Sequence, residues 1–132
     1  MPAAATAARS AGFPVVVRTT GTAELPVAHT LAVSSIVQGG LTNAMRHAPQ
    51  ATRIEVSLSS TPDAIDVAVV NDGVGAPSAA GGYGLRGIRE RVDHVGGVMS
   101  AGPGTPGTWV LRARLPLPGS VPPPQPPIEE PT

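Results

Sequence analysis

NDGVGAPSAAGGYGLRGI, running from Asn71 to Ile88, is the stretch whose reading decides the fold. It follows an apolar run, Ala64 to Val70 (AIDVAVV), that reads as a strand, so the carboxylate of Asp72 stands directly at a strand end. Gly73 and Gly75 come next, where bulky side chains would keep a ligand away from the backbone. A small-residue loop, Val74 to Gly81, then leads into Gly82-Tyr83-Gly84-Leu85, which opens an amphipathic helix expected over Leu85 to Val95. Glycines before a helix start leave free backbone N–H groups at the positive end of the helix dipole, a setting that suits phosphate oxygens. Carboxylate, open backbone and anion-binding helix start together point to a nucleotide site.

The familiar nucleotide motifs do not account for it. All nine basic residues are Arg, so a phosphate loop of the GxxxxGK[ST] type is excluded. Gly82, Gly84 and Gly87 spell GxGxxG, but a dinucleotide fingerprint follows its strand immediately. Here a loop intervenes after Val70, and no acidic residue stands about 20 positions later to hold a ribose hydroxyl.

Working outward, the composition narrows the classes further. The 132 residues suit one domain, and a formal net charge of zero argues against nucleic-acid binding. The absence of cysteine excludes disulfides and thiolate metal sites. No apolar run approaches the roughly 20 residues that span a bilayer, and the Ala-rich N-terminus lacks the apolar segment of a signal peptide. Cytoplasmic is therefore the expectation. With only Phe13, Tyr83 and Trp109 as aromatics, the core must be built from Val, Leu, Ile and Ala.

Along the chain, residues 1–13 are expected to form a disordered arm or linker. Pro14 to Thr20 (PVVVRTT) reads as a strand closed by Gly21. Ala28 to Ala48 reads as a long helix stopped by Pro49, with Val33, Val37, Leu41, Ala44 and Ala48 forming one apolar stripe. Gly39, Asn43, Arg46 and His47 share another side of that helix, as an ordinary solvated face or a ligand-facing one. Gly39 and Gly40 in mid-helix cost about 1 kcal/mol each relative to Ala, which close packing, ligand access or a lost side chain would explain. Arg53 to Leu58 and Ala64 to Val70 are two strands, paired most simply as a hairpin, and Ile54, Val56 and Leu58 alternate against Arg53, Glu55 and Ser57. After the glycine loop and its helix, which Gly96 and Gly97 terminate, Val98 to Ala101 and Thr108 to Leu115 are the last strands. From Pro116 onward lie half of the sixteen prolines, so residues 118–132 are expected to be a disordered tail that samples polyproline II. The order of elements over residues 14–117 predicts an α+β fold, a two-layer sandwich of one mixed sheet covered on one face by helices.

At this point four segments resemble a known family, the ATP-binding catalytic domain of two-component sensor histidine kinases, in the superfamily shared with gyrase, Hsp90 and MutL. Ser35 to Ala48 (SIVQGGLTNAMRHA) is similar to its N box, and Asn71 to Gly75 to its first glycine box. Gly82 to Arg91 (GYGLRGIRER) matches the second glycine box, and Gly104 to Thr108 resembles the last glycine-threonine element. The form is most similar to kinases that work with NarL-type response regulators. The resemblance implies the Bergerat ATP-binding fold, with ATP and Mg²⁺ as ligands. It implies that Asp72 accepts a hydrogen bond from the adenine amine while Gly73 and Gly75 admit the base. Asn43 would give its amide oxygen to Mg²⁺, Arg46 and His47 would lean toward the triphosphate, and Gly82, Tyr83, Gly84 and Leu85 would cradle phosphates. Val74 to Gly81 would be a lid, and Thr108 would sit near the adenine pocket. The implied partners are a phosphoacceptor histidine domain and a NarL-type response regulator.

Two departures qualify what the family pattern implies. Members usually carry Glu four residues before the N-box Asn, and this chain has Gly39 there, so phosphoryl transfer should be slowed while binding survives. No catalytic residue is assigned in its place. His29, His47 and His94 all lie inside or beside the catalytic-domain pattern, so the chain is not expected to phosphorylate itself. The alternatives are a degenerate nucleotide-binding or regulatory module without turnover, and a serine kinase of the anti-sigma type.

Overall fold

The computed structural model describes residues 3–21, 24–48, 50–73 and 85–118. Strands β1 (Val15–Thr20), β2 (Ile54–Ser60), β3 (Ala64–Asn71), β4 (Val98–Pro103) and β5 (Trp109–Pro116) form one sheet in the order β1-β2-β3-β5-β4. β1 and β2 are parallel and every other neighbouring pair is antiparallel, so the sheet is mixed as expected. Helices α1 (Ala3–Ser10), α2 (Val27–His47) and α3 (Arg86–His94) complete the fold. The parallel β1–β2 pair requires a crossover, and the 21-residue α2 supplies it.

Residue alternation decides which face is covered. On β3, Ile65, Val67, Val69 and Asn71 are buried while Asp66, Ala68 and Val70 are only half-buried. On β5, Leu111, Ala113 and Leu115 are buried between exposed Arg112 and Arg114. The buried set meets Ile36, Val37, Leu41 and Ala44 of α2 and Ile88 and Val92 of α3 in one aliphatic core. Fully burying each such large side chain stabilises the fold by roughly 1.5–3 kcal/mol. The opposite face is wet, and Arg18–Glu55 (3.3 Å), Arg53–Glu55 (3.2 Å) and Arg114–Asp66 (3.1 Å) cross it as exposed ion pairs of small individual worth.

The mid-helix glycines of α2 are explained by close packing. A Cβ on Gly40 would lie 2.7–2.9 Å from Val69 Cβ and both its methyl carbons, so the helix lies directly on β3. A Cβ on Gly39 would run into Ile88 Cδ1 of α3. His29 Nε2 lies 2.6 Å from the Pro116 carbonyl oxygen, and Pro116 pairs with Ala64 at the start of β3. α2 therefore starts over the beginning of β3 and runs with it, reaching Val69 at Gly40.

The N-terminal stretch departs from the arm expected of it. Ala3 to Ser10 is helical, Ala8 is buried against the core, and Arg9 Nε donates to the Val15 carbonyl at 2.8 Å. Alanine has the highest helix propensity, and a side chain of one methyl lets α1 pack closely on α2, so low complexity did not mean disorder here. The expected tail from Gly119 onward lies outside the described residues. Among the described residues, no helix is long and apolar enough to cross a membrane.

Candidate functional site

α2 and α3 lie side by side, and between them opens a cavity of about 360 Å³. Its lining includes Ser35, Gln38, Gly39, Thr42, Asn43 and Arg46 of α2 with Gly87 and Ile88 of α3. The α2 residues recur at three- and four-residue steps, so they form the single helix face on which the sequence placed Gly39, Asn43 and Arg46. The structure brings those three together. Ser35, Gln38 and Thr42 belong to the same face and were not singled out from sequence, although their spacing carried the signal.

The chemistry of this cavity favours an anion. Asn43 is 7% exposed, and its Nδ2, a hydrogen-bond donor, is buried without a protein partner. Such an atom costs roughly 1–3 kcal/mol unless a ligand or water accepts from it. Arg46 is the only charged side chain in the lining, and no acidic residue appears there among the described residues. The start of α3 adds more donors. Its first internal bond runs from Arg89 N to Leu85 O (2.9 Å), which leaves the N–H groups of Arg86, Gly87 and Ile88 ahead of it unpaired within the helix. Leu85, at the N-cap, makes no side-chain capping bond, so nothing of its own competes for that end of the helix dipole. Gly87 and Ile88 bring this turn to the cavity.

Other candidates from the sequence lie elsewhere or have other bonds. Asp72 accepts from Thr52 N (2.7 Å) and Arg53 N (3.1 Å) through Oδ1, and from Thr52 Oγ1 through Oδ2. The Thr52 hydroxyl first, then the Arg53 N–H, hold its carboxyl below the ordinary value of 3.8, with burial opposing weakly. Gly73 fixes the same turn, because its φ of +74° suits glycine and an added Cβ would sit 2.8 Å from Ala51 N. Thr108 Oγ1 donates to the Thr105 carbonyl at 2.7 Å and closes its own hairpin. Neither Asp72 nor Thr108 belongs to the described lining of the α2–α3 cavity. Gly75, Gly82, Tyr83, Gly84, the loop Val74 to Gly81 and the side chain of His47 lie outside the described residues.

The strand end beneath α2 holds a residue that sequence reasoning passed over. Asn71 is 3% exposed, and its Nδ2 donates to the Asp72 carbonyl at 3.0 Å. It shares the helix-covered face of β3 with Val67 and Val69, and on that face it pairs directly with Trp109 of β5.

Comparison with known proteins agrees with this geometry. Residues 28–119 match the family described as histidine kinase-, DNA gyrase B-, and HSP90-like ATPases. Sensor histidine kinase LnrJ of Bacillus subtilis is 40% identical over 63 residues, 48% of this chain and 16% of that protein, so the chain spans a small part of that relative's length. Among solved structures, the Erythrobacter litoralis EL346 blue-light activated histidine kinase superposes with a TM-score of 0.67 at 25% identity, over 86% of this chain and 39% of that one. The ATP binding domain of PrrB from Mycobacterium tuberculosis shares the fold with a TM-score of 0.62 at 23% identity, over 89% of this chain and 90% of its own. With the mixed sheet and the α2–α3 cavity in place and residues 28–119 matched, the chain belongs to the histidine kinase-, DNA gyrase B- and HSP90-like ATPase family.

Proposed function

We propose that this chain is the ATP-binding catalytic domain of a sensor histidine kinase, transferring the γ-phosphoryl group of ATP to a histidine on a separate dimerisation domain. The observation that carries the proposal is Asn43, buried with an unpartnered amide in a cavity that also holds Arg46 and the first turn of α3. Donors of this kind fit phosphate oxygens. In this reading the triphosphate lies between α2 and α3, and the base reaches the end of β3, where Asn71 and Asp72 stand. The Asn43 amide oxygen would hold Mg²⁺, which neutralises phosphate charge when bound and takes its remaining ligands from phosphates and water.

The absence of an acidic lining residue among the described residues bears on the acceptor. A neutral imidazole nitrogen attacks the γ-phosphorus with its own lone pair, forming the N–P bond as the bond to the β,γ-bridging oxygen breaks and ADP departs. A serine hydroxyl must also lose its proton, which calls for a base. With Gly39 where a carboxylate would stand, the cavity suits histidine better than serine as acceptor, and transfer is expected to be slow. The phosphohistidine would then pass its phosphoryl group to a response regulator, of NarL type by resemblance, in the cytoplasm.

The test is transfer in trans. The chain is incubated with γ-labelled ATP, Mg²⁺ and a dimerisation hairpin from a NarL-partner kinase. Acid-labile, base-stable label on the hairpin supports the proposal. Label that survives acid as phosphoserine contradicts it, as does no label above that of an Asn43→Ala control.

A further inference from the structure

We infer that residues 121–124 (VPPP), in the chain's own C-terminal tail, seat in a second groove between α2 and α3 and cover an apolar patch that the fold leaves open. The groove has a volume of about 610 Å³. Among the described residues it is lined by Ala28 and Leu31 of α2 and by Gly87, Glu90, Arg91 and His94 of α3. Val27 and Leu31 stand one helical turn apart on α2, 77% and 51% exposed, and are two of the three exposed large hydrophobic residues described. On α3, Glu90 is engaged by Arg86 at 3.5 Å. The side chains of Arg91 and His94 have no hydrogen-bond or ion-pair partner among the described residues.

The chain leaves the fold at the end of this groove. Pro116 closes β5, and His29 Nε2 of α2 lies 2.6 Å from its carbonyl oxygen. A Cβ on Gly96, just past α3, would lie 3.8 Å from Pro116 Cγ. Both walls therefore end on Pro116, one at His29 beside Ala28 and the other at Gly96 beyond His94. Leu117 is buried and its N–H donates to the Asp63 carbonyl at 2.8 Å, so the chain comes free at exposed Pro118. From His94 back to Gly87 the helix rises roughly 10 Å. A polyproline II chain covers that in about three to four residues at about 3.1 Å each. Gly119 and Ser120 allow a turn out of the fold, and the apolar run that follows, Val121-Pro122-Pro123-Pro124, has the matching length.

The chemistry of the two surfaces is complementary. Proline rings and the Val121 methyls pack on Leu31, Ala28 and the aliphatic stems of Glu90 and Arg91. Proline also fixes φ near its polyproline II value before docking, which keeps the entropic cost of seating small. Polyproline II makes no internal hydrogen bonds, so its carbonyls accept from the Arg91 guanidinium and the His94 imidazole. A helix laid in the same groove would spend its carbonyls internally and leave both donors unanswered. A short flexible tether holds the segment at an effective concentration of about millimolar, so a millimolar intrinsic affinity seats about half of the molecules.

The chain has no cysteine, so Gln125→Cys gives a single attachment point for a nitroxide spin label beside the segment. NMR of the full chain then reads the paramagnetic broadening at each amide. Seating predicts strong broadening at Gly87 and Leu31 and weaker broadening at Thr61 and Asp63, which adjoin the exit but not the groove. Leu31→Asp, at a half-exposed position, should remove that preference. Replacing Pro122, Pro123 and Pro124 by Ser should remove it too with α2 untouched, and decides alone if Leu31→Asp does not fold. Equal broadening of the two sets in the Gln125→Cys protein overturns the docking, as does a preference for the groove that survives the proline replacement. Groove broadening in an isotope-enriched chain mixed with a spin-labelled, unenriched one would mean that a second copy supplies the occupant, and that also overturns it. Each of these results leaves the nucleotide reading standing.

Discussion

Replacing Gly39 by Glu would return a carboxylate to the position where the family pattern carries one, and the structure says what stands in the way. The new Cβ would overlap Ile88 Cδ1, the far end of a side chain that is 7% exposed. Relief requires Ile88, which packs in the core on one side and lines the cavity on the other, to change rotamer, and overpacking of this kind costs about 1–3 kcal/mol. Removing a mid-helix glycine returns about 0.5–1 kcal/mol. The net expectation for Gly39→Glu is a loss of about 0.5–2 kcal/mol. Ile88→Val deletes the very methyl that clashes. Alone it should cost about 0.5–1.5 kcal/mol, but in the Gly39→Glu background it should cost nothing or stabilise. Chemical denaturation of the four proteins in this cycle measures the coupling, expected at about 1–2 kcal/mol. Additivity within about 0.5 kcal/mol would refute the claim that Ile88 fills the space beside Gly39. If the cycle couples as expected, the double variant is also the one in which faster transfer to a histidine hairpin should be sought.

Gly40→Ala should be the costlier alanine substitution, because Val69 Cβ is fixed to the backbone and cannot swing aside. A net loss of about 1–2 kcal/mol is expected by denaturation, where an open helix site would gain stability. Ala8→Glu should destabilise by about 2–3 kcal/mol if α1 is packed as described, and an unchanged melting temperature would show that it is not. Asp72 gives a pH signature. Its carboxyl is held below 3.8, so its contribution is complete above that pH and is lost as pH falls through the lower folded-state value. Asp72→Asn should therefore be less stable than wild type at neutral pH and lose less stability as pH falls below 3.8. Parallel acid-unfolding curves would contradict this.

Much of the fold was legible because its elements carry strong periodicity. The apolar stripe of α2 and the alternation in β2 each turn toward the core the face that the sequence indicates. The cavity was partly legible for the same reason, since Gly39, Asn43 and Arg46 share a helix face whatever the tertiary structure. What sequence did not carry was register. Only the pairing of Asn71 with Trp109, 38 positions apart by number, brings the chain's one indole to the end of β3. Local hydrogen bonding was equally hidden, because Asp72 and Thr108 look like free ligand groups until Thr52, Arg53 and Thr105 are seen to bond them. The Ala-rich start misled because composition reports on entropy and propensity but not on whether α2 offers a surface to pack against.

The most direct test of the central claim is a calorimetric titration of the chain with ATP, with and without Mg²⁺, beside Asn43→Ala. Saturable binding that strengthens with Mg²⁺ and falls by tenfold or more (about 1.4 kcal/mol) in the variant is the predicted result. No heat of binding up to millimolar ATP, or equal affinity in the Asn43→Ala protein, would contradict a triphosphate site between α2 and α3.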